Sequence, residues 1–375
     1  MSFITQVAIR LILTVIMAFF LTPLIRKLAF AINAVDYPNN RRINTEPMPT
    51  AGGLVIFVTF CFSSLIIFKD IIPFSYAMKI IVPTAIIVVT GLIDDISELS
   101  PKGKLFGIIL ASLYVYFIAD ISMTSITLPY FGLVPLGWLS FPVTLLWIAA
   151  LTNAINLIDG LDGLASGVSI IALATIGIVG YVAATAGRVN IQVPLEIFVL
   201  LASTVGFFPF NFYPAKQFLG DTGALMLGFM IAIFSLQGLK NATFISLITP
   251  LIILGVPITD TVFAIIRRLL NKRPISSADK MHLHHRLLSL GFTHRGAVLM
   301  IYALAIIFSI ISLLYIVTGT WATILLTIAC LFGVELLIET IGLAGNGKQP
   351  LLDMFKFIGN RAYRNKKMNK KKNTD

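Results

Sequence analysis

The run Asn153 to Gly167, NAINLIDGLDGLASG, sets two carboxylates and two carboxamides between stretches apolar enough to cross a bilayer. Asp159-Gly160 and Asp162-Gly163 are three residues apart, so both carboxylates can point one way while the glycines admit a ligand close to the backbone. Asn153 and Asn156 repeat that spacing one turn earlier. A helix cap followed by a turn uses the same residue types. Four such groups between two spans nevertheless point to ligand chemistry, because ionisable groups at membrane depth are costly and functional by default.

Three other segments concentrate reactive groups. In GLIDDISELSPKGK, Asp94 and Asp95 end an apolar helix, where the partial negative charge of a helix C-terminus disfavours carboxylates. A bound Mg2+ would compensate, since it prefers oxygen ligands and is held by one or two carboxylates with substrate phosphates; an exposed acidic turn is the plainer alternative. In FNFYPAKQFLGDTGALMLG, Asp221 immediately precedes a span. It could cap that helix, and a helix start also attracts phosphate. Phe218 could stack on a flat base or serve as an apolar anchor. The loop RRLLNKRPISSADKMHLHHRLLSLGFTHR holds all four histidines, His282, His284, His285 and His294. It lacks His-Glu-x-x-His spacing and a cysteine partner, which argues against zinc. On a helix His282 and His285 share a face, and on a strand His282 and His284 do. Imidazoles among arginines suit a pyrophosphate, with a solvated basic loop as the alternative. GLAGNGKQ, at 342 to 349, is set aside as a phosphate loop because Gln349 stands where Ser or Thr should be and a span precedes it.

The elements that must hold these groups are membrane helices. With 57% hydrophobic and 12% charged residues and a mean hydropathy of +0.93, the chain has too little polar surface for a water-soluble domain. Apolar runs of near-spanning length recur about eleven times, near 3 to 25, 52 to 68, 77 to 93, 104 to 120, 138 to 152, 164 to 184, 192 to 208, 223 to 238, 243 to 266, 297 to 317 and 320 to 339. An all-α polytopic bundle of about 11 transmembrane helices follows, with residues 1–340 as one catalytic domain and 341–375 as a basic tail. Arg26 and Lys27 follow the first run instead of preceding it, which favours a retained span over a cleaved signal.

Lys and Arg number 23 on one side of this topology and 5 on the other. The rich side is expected to be cytoplasmic, placing the N-terminus outside and the tail inside. The net charge of +11 thus meets anionic headgroups and phosphate-bearing partners, and nucleic acid is excluded as a partner. Most carboxylates share that face, with Asp70, Asp120 and Glu196 expected on the outer loops. Cys61 and Cys330 fall in apolar spans as packing residues.

Taken in order, the four motifs resemble the polyprenyl-phosphate N-acetylhexosamine-1-phosphate transferase superfamily across about residues 30 to 300. The matching residues are Asp94 and Asp95, then Asn153, Asn156, Asp159 and Asp162, then Phe218 and Asp221. The resemblance implies a Mg2+-dependent transfer of sugar phosphate from a UDP-sugar to a membrane polyprenyl phosphate, with release of UMP; Mn2+ is the alternative ion. It implies Asp221 as principal metal ligand, assisted by Asp94 or Asp95, and Phe218 on uracil, with Asn211 and Asp162 on the nucleoside. Lys104, Thr50, Arg41 and Arg42 would sit near the phosphates, steadied by the histidines. HLHH resembles the branch that takes UDP-GlcNAc and begins teichoic acid or other surface polysaccharides, with undecaprenyl phosphate as acceptor. The branch that takes UDP-MurNAc-pentapeptide carries three consecutive histidines. Glu98 and Ile108 depart from the family pattern, which touches the placement of the lipid phosphate. A homodimer is left open. The competing class is a transporter, whose carboxylates should lie at mid-bilayer on interrupted helices; Asp260 is the one residue that suits it better.

Overall fold

The computed structural model describes residues 2–38, 46–128, 132–238, 251–270 and 282–341. Among these residues the expected apolar runs fall largely on helices, although the run expected at 104 to 120 ends as helix at Phe117. In chain order the helices are α1 (Phe3–Ala31), α2 (Gly52–Phe62), α3 (Phe74–Ser97), α4 (Pro101–Phe117), α5 (Ser140–Ile158), α6 (Leu164–Thr185), α7 (Gln192–Asn211), α8 (Gly220–Gly238), α9 (Gly255–Leu270), α10 (Leu283–Ser289), α11 (His294–Val317) and α12 (Thr320–Ile341). Among the described residues seven helical segments are long and apolar enough to cross a membrane, whereas Gly52–Ile67 and Trp321–Leu336 are apolar but shorter. The protein is therefore a mostly helical, multi-pass membrane protein. The expected tail 341–375 lies outside the described residues except for Ile341.

Local chemistry sets the helix starts. Ser100 accepts the Gly103 N–H and is followed by Pro101, whose missing N–H costs nothing in a first turn, so α4 begins there. Thr293 caps α11 in the same way, accepting the Gly296 N–H at 3.1 Å. A five-residue π-helix, Ser63–Ile67, continues α2.

The helices alternate in direction, so that α1, α3, α5 and α7 end where α2, α4, α6 and α8 begin. The connections at that end line one cleft. The α8 helix forms the centre, with Ala224 to Ala232 buried throughout, and packs against α3 and α5. Small residues let its first turn sink into the bundle. A side chain at Gly91 would stand 2.5 Å from the Thr222 Cα, and one at Gly53 would stand 2.3 Å from the Gly223 nitrogen.

The all-α expectation needs one amendment. Two antiparallel ribbons are present, Val35–Asp36 with Met48–Pro49 and Ser125–Leu128 with Gly132–Pro135. The first brings the chain back beside the cleft, where Thr50 N–H donates to the Ala34 carbonyl at 2.9 Å. Cys61 and Cys330 are unpaired and pack against the core as expected. Glu196 is not on an outer loop. It is fully buried on α7, one turn inside the helix that begins at Gln192, and accepts a hydrogen bond from Ser64 Oγ at 2.8 Å.

Candidate active site

The cleft has a volume of about 1330 Å3 and takes lining residues from every one of the four motifs. Asp94, Asp95, Asp159, Asp162 and Asp221 all border it, with Thr50, Asn211, Phe218, His284 and His285. Positions more than a hundred residues apart in sequence thus converge, as the chemistry requires.

Lys104 is the hub of the acidic wall. Its ammonium lies 2.8 Å from Asp94 Oδ2 and also pairs with Asp221 Oδ2. Asp94 Oδ1 accepts the Leu99 N–H at 2.7 Å, and Asp221 Oδ1 accepts from Asn156 Nδ2 at 2.9 Å. Each of these carboxylates is aimed by one oxygen and shares Lys104 with the other. Burial first, and then the negative charges of Asp221, Asp95 and Asp162, hold the Asp159 carboxyl well above the usual carboxylate range.

Asp95 plays a different part from its neighbour. It accepts the Asp221 N–H at 2.9 Å, the Thr222 N–H at 3.2 Å and the Thr222 hydroxyl, which satisfies the free amides at the start of α8. These contacts make Asp95 a tether that places Asp221. Asp162 is tied likewise, its Oδ2 accepting the Ala215 N–H at 3.0 Å. Asn211 accepts from Ser166 Oγ at 2.6 Å and donates to the Gln217 carbonyl at 3.1 Å, bracing the loop that presents Phe218.

Other expected residues separate from the cleft. Asn153 does not border it; its Nδ2 donates to the Ala149 carbonyl at 2.7 Å, along its own helix. His282 is buried against Asp260, its Nδ1 2.9 Å from Oδ2, while Asp260 Oδ1 accepts the Leu283 N–H at 2.9 Å. Asp260 thus anchors the histidine segment, and the buried-contact reading accounts for it. Arg41 and Arg42 lie outside the described residues.

His284 reaches the cleft because Gly160 has no side chain; a Cβ there would meet His284 Nε2 at 2.5 Å. Burial, followed by the neighbouring His285, pushes its pKa down to about 3, so the ring is neutral near pH 7 and cannot serve as a cation. His294, named in the sequence only as one of four histidines, stacks at the cleft wall on Tyr213, which sequence reasoning passed over, with the two rings 4.6 Å apart. The available signal was the Thr293 cap before an apolar run, which puts His294 in the first turn of a span and at the membrane face.

The arrangement can take an anion only together with a cation. Eight carboxylates border the cleft, Asp36, Glu46, Asp94, Asp95, Glu98, Asp159, Asp162 and Asp221, and no Lys or Arg does among the described residues. Nor do three or more His, Cys, Asp or Glu side chains among the described residues form a metal cage. A carboxylate-rich wall that leaves a cation's coordination incomplete fits Mg2+, which takes the remainder of its shell from phosphates and water.

A polytopic bundle whose acidic loops meet in one cleft defines a class, and sequence comparison agrees: the chain belongs to glycosyl transferase family 4, which it matches over residues 77–239. It is 40% identical, over 94% of its length and 96% of the relative's, to a Bacillus subtilis protein described as "Probable undecaprenyl-phosphate N-acetylglucosaminyl 1-phosphate transferase". The decaprenyl-phosphate N-acetylglucosaminephosphotransferase of Mycolicibacterium smegmatis is 32% identical over 76% of each chain. The phospho-N-acetylmuramoyl-pentapeptide-transferase of Halalkalibacterium halodurans is more distant, 27% identical over 80% of this chain and 94% of the other.

Proposed function

We propose that this protein transfers GlcNAc-1-phosphate from UDP-GlcNAc to undecaprenyl phosphate, releasing UMP, as the first membrane step of teichoic acid or another cell-surface polysaccharide. The observation that carries the reading is the convergence of Asp94, Asp159 and Asp221 on one cleft around Lys104, in a chain so similar to the Bacillus relative. Greater distance from the muramoyl-pentapeptide relative supports UDP-GlcNAc over UDP-MurNAc-pentapeptide. A transporter reading loses its best support, since Asp260 is committed to His282 and the Leu283 N–H.

An acceptor phosphate monoester is largely ionised at neutral pH, with a second pKa of about 6, so it needs little help from a base. One of its oxygens attacks the β-phosphorus of the nucleotide sugar, and the bond from that phosphorus to the oxygen bridging to the α-phosphate breaks. UMP departs with the electron pair and leaves a sugar joined to the lipid through a diphosphate. The difficulty is to bring two anions together, and positioned cations lower that barrier. Asp221, assisted by Asp94, would hold Mg2+, which supplies charge neutralisation for the attacking and departing oxygens. Lys104 aligns both carboxylates and contributes its own charge beside them. Phe218 and Asn211 are assigned to the uridine side, and the neutral ring of His284, with His285 beside it, offers hydrogen bonds to the phosphates. The cleft is proposed to face the cytoplasm, where Lys and Arg are concentrated, with eleven spans in all.

The test is direct. Purified protein in detergent with Mg2+ and undecaprenyl phosphate is assayed for UMP release from UDP-GlcNAc, UDP-GalNAc and UDP-MurNAc-pentapeptide side by side. UMP from UDP-GlcNAc is expected; release only from the pentapeptide substrate, or none, refutes the assignment.

A further inference from the structure

The turn that carries Asp159 and Asp162 joins α5 to α6 through short-range backbone bonds, Gly160 N–H to the Ile158 carbonyl and Leu164 N–H to the Leu161 carbonyl, and Gly163 in it adopts φ +75°. Two side chains of α11 take hold of it. The Asp162 N–H donates to His294 Nε2 at 3.1 Å, and the Tyr302 hydroxyl donates to the Gly163 carbonyl. Residues 294 and 302 are about two helical turns apart and so share one face. Val298, midway along that face, is almost fully buried.

We infer that His294 and Tyr302 are positioning residues, clamping the main chain of the 159–163 turn and thereby setting where the Asp159 and Asp162 carboxylates stand; this rests on the transferase reading above. Three features of the surroundings are shaped to the clamp. A Cβ on Gly167 would stand 2.1 Å from the Tyr302 hydroxyl, so the tyrosine occupies the room a side chain would fill. Tyr213 stacks on the far face of the His294 ring. The Ala215 N–H holds Asp162 Oδ2, so the same residue is gripped at its amide and at its carboxylate. A bond to Nε2 also requires that nitrogen to be unprotonated, which leaves the proton of the neutral ring on Nδ1.

Clamping changes turnover more than substrate affinity, because a carboxylate displaced by about 1 Å costs up to about 100-fold in rate. In the full-length protein, His294→Ala is expected to lower kcat for UMP release about 10- to 100-fold while KM for UDP-GlcNAc stays within about threefold. His294→Gln, whose amide oxygen can replace Nε2 as acceptor, should restore most of that loss. Tyr302→Phe and Gly167→Ala, the one removing the hydroxyl and the other evicting it, should each lower kcat about tenfold. Hydrogen–deuterium exchange of a peptide spanning residues 159–163 reads the clamp without turnover, and should quicken in His294→Ala and Tyr302→Phe but not in His294→Gln. Wild-type kcat in both His294→Ala and Tyr302→Phe, or unchanged exchange in both, overturns the inference. Loss of kcat that follows loss of folded protein, with no rescue by glutamine, overturns it as well. If the wild-type protein releases no UMP while exchange responds as described, the transferase reading fails and the clamp on the turn stands.

Discussion

The two ends of the bundle use similar acidic groups in opposite ways. Away from the cleft, Arg10 grips Asp70 through two contacts of 2.7 and 3.0 Å, and Glu196 takes the Ser64 hydroxyl at 2.8 Å. Each acid there has its own partner, and the partnership joins α1 or α7 to the segment after α2. At the cleft, Asp94 and Asp221 share the single ammonium of Lys104, and Asp159 stands among like charges. About 16 residues of α8, roughly 24 Å of helix, separate Asp221 from Gln237 at the other end. One-to-one pairing fastens a fold, whereas acids gathered around too little positive charge leave negative charge for a ligand to neutralise.

That contrast breaks most sharply at Asp221. Replacing it with Asn removes a charge but keeps the shape, and is expected to lower kcat about 1000-fold or more with expression and melting temperature intact. Near-normal turnover would show that the charge imbalance is not what the reaction uses. Lys104→Gln should follow, with about a 100-fold loss in kcat, because Asp94 and Asp221 would then repel one another across the site. Asp95→Ala sharpens the distinction between neighbours. It strips the cap from α8, so about 1–2 kcal/mol of stability and the placement of Asp221 should be lost together, seen as a lower melting temperature alongside lower kcat. Loss of activity without loss of stability would instead return Asp95 to the metal.

The histidines yield a pH test of the same contrast. His284 has a folded pKa of about 3 against a reference value of 6.5, so the unfolded chain binds its proton first. Its contribution to stability is complete above about pH 6.5 and is lost progressively as pH falls toward 3. Asp159, raised instead of lowered, acts in the opposite sense, favouring the fold at low pH. Melting temperatures of wild type and His284→Gln across pH 4 to 8 should therefore differ in slope below about 6.5, with the variant flatter. Identical slopes would mean that the ring is solvated.

How much of this could be read in the sequence depends on the kind of signal. Apolar runs announce helices one at a time, so the helices were legible, but Gly52–Ile67 and Trp321–Leu336 are too short for their number to fix the number of spans. Motif chemistry announced Asp94, Asp159 and Asp221. It could not part Asp95 from Asp94, since adjacent residues of one type differ only in what packs against them, here the first turn of α8. His282 and Asn153 show the reverse: their residue types suit a site, but the partners the fold gives them, Asp260 and the Ala149 carbonyl, are outside the cleft lining. The ribbon of Val35–Asp36 with Met48–Pro49 is two residues wide, below any periodicity.

The smallest expected effect tests the other side of the comparison. Glu196 is buried in a membrane helix, where an isolated carboxylate costs far more than a carboxylic acid or an amide. Glutamine keeps an oxygen able to accept the Ser64 hydroxyl and carries no charge, so Glu196→Gln should leave kcat, KM and melting temperature close to wild type. Glu196→Ala removes the acceptor and opens a void between α7 and the π-helical segment, which should cost about 1–3 kcal/mol of stability without altering kcat per folded molecule. A tenfold fall in kcat for Glu196→Gln would mean that a charge at the far end takes part in turnover, and acids with private partners could no longer be set apart as fastenings.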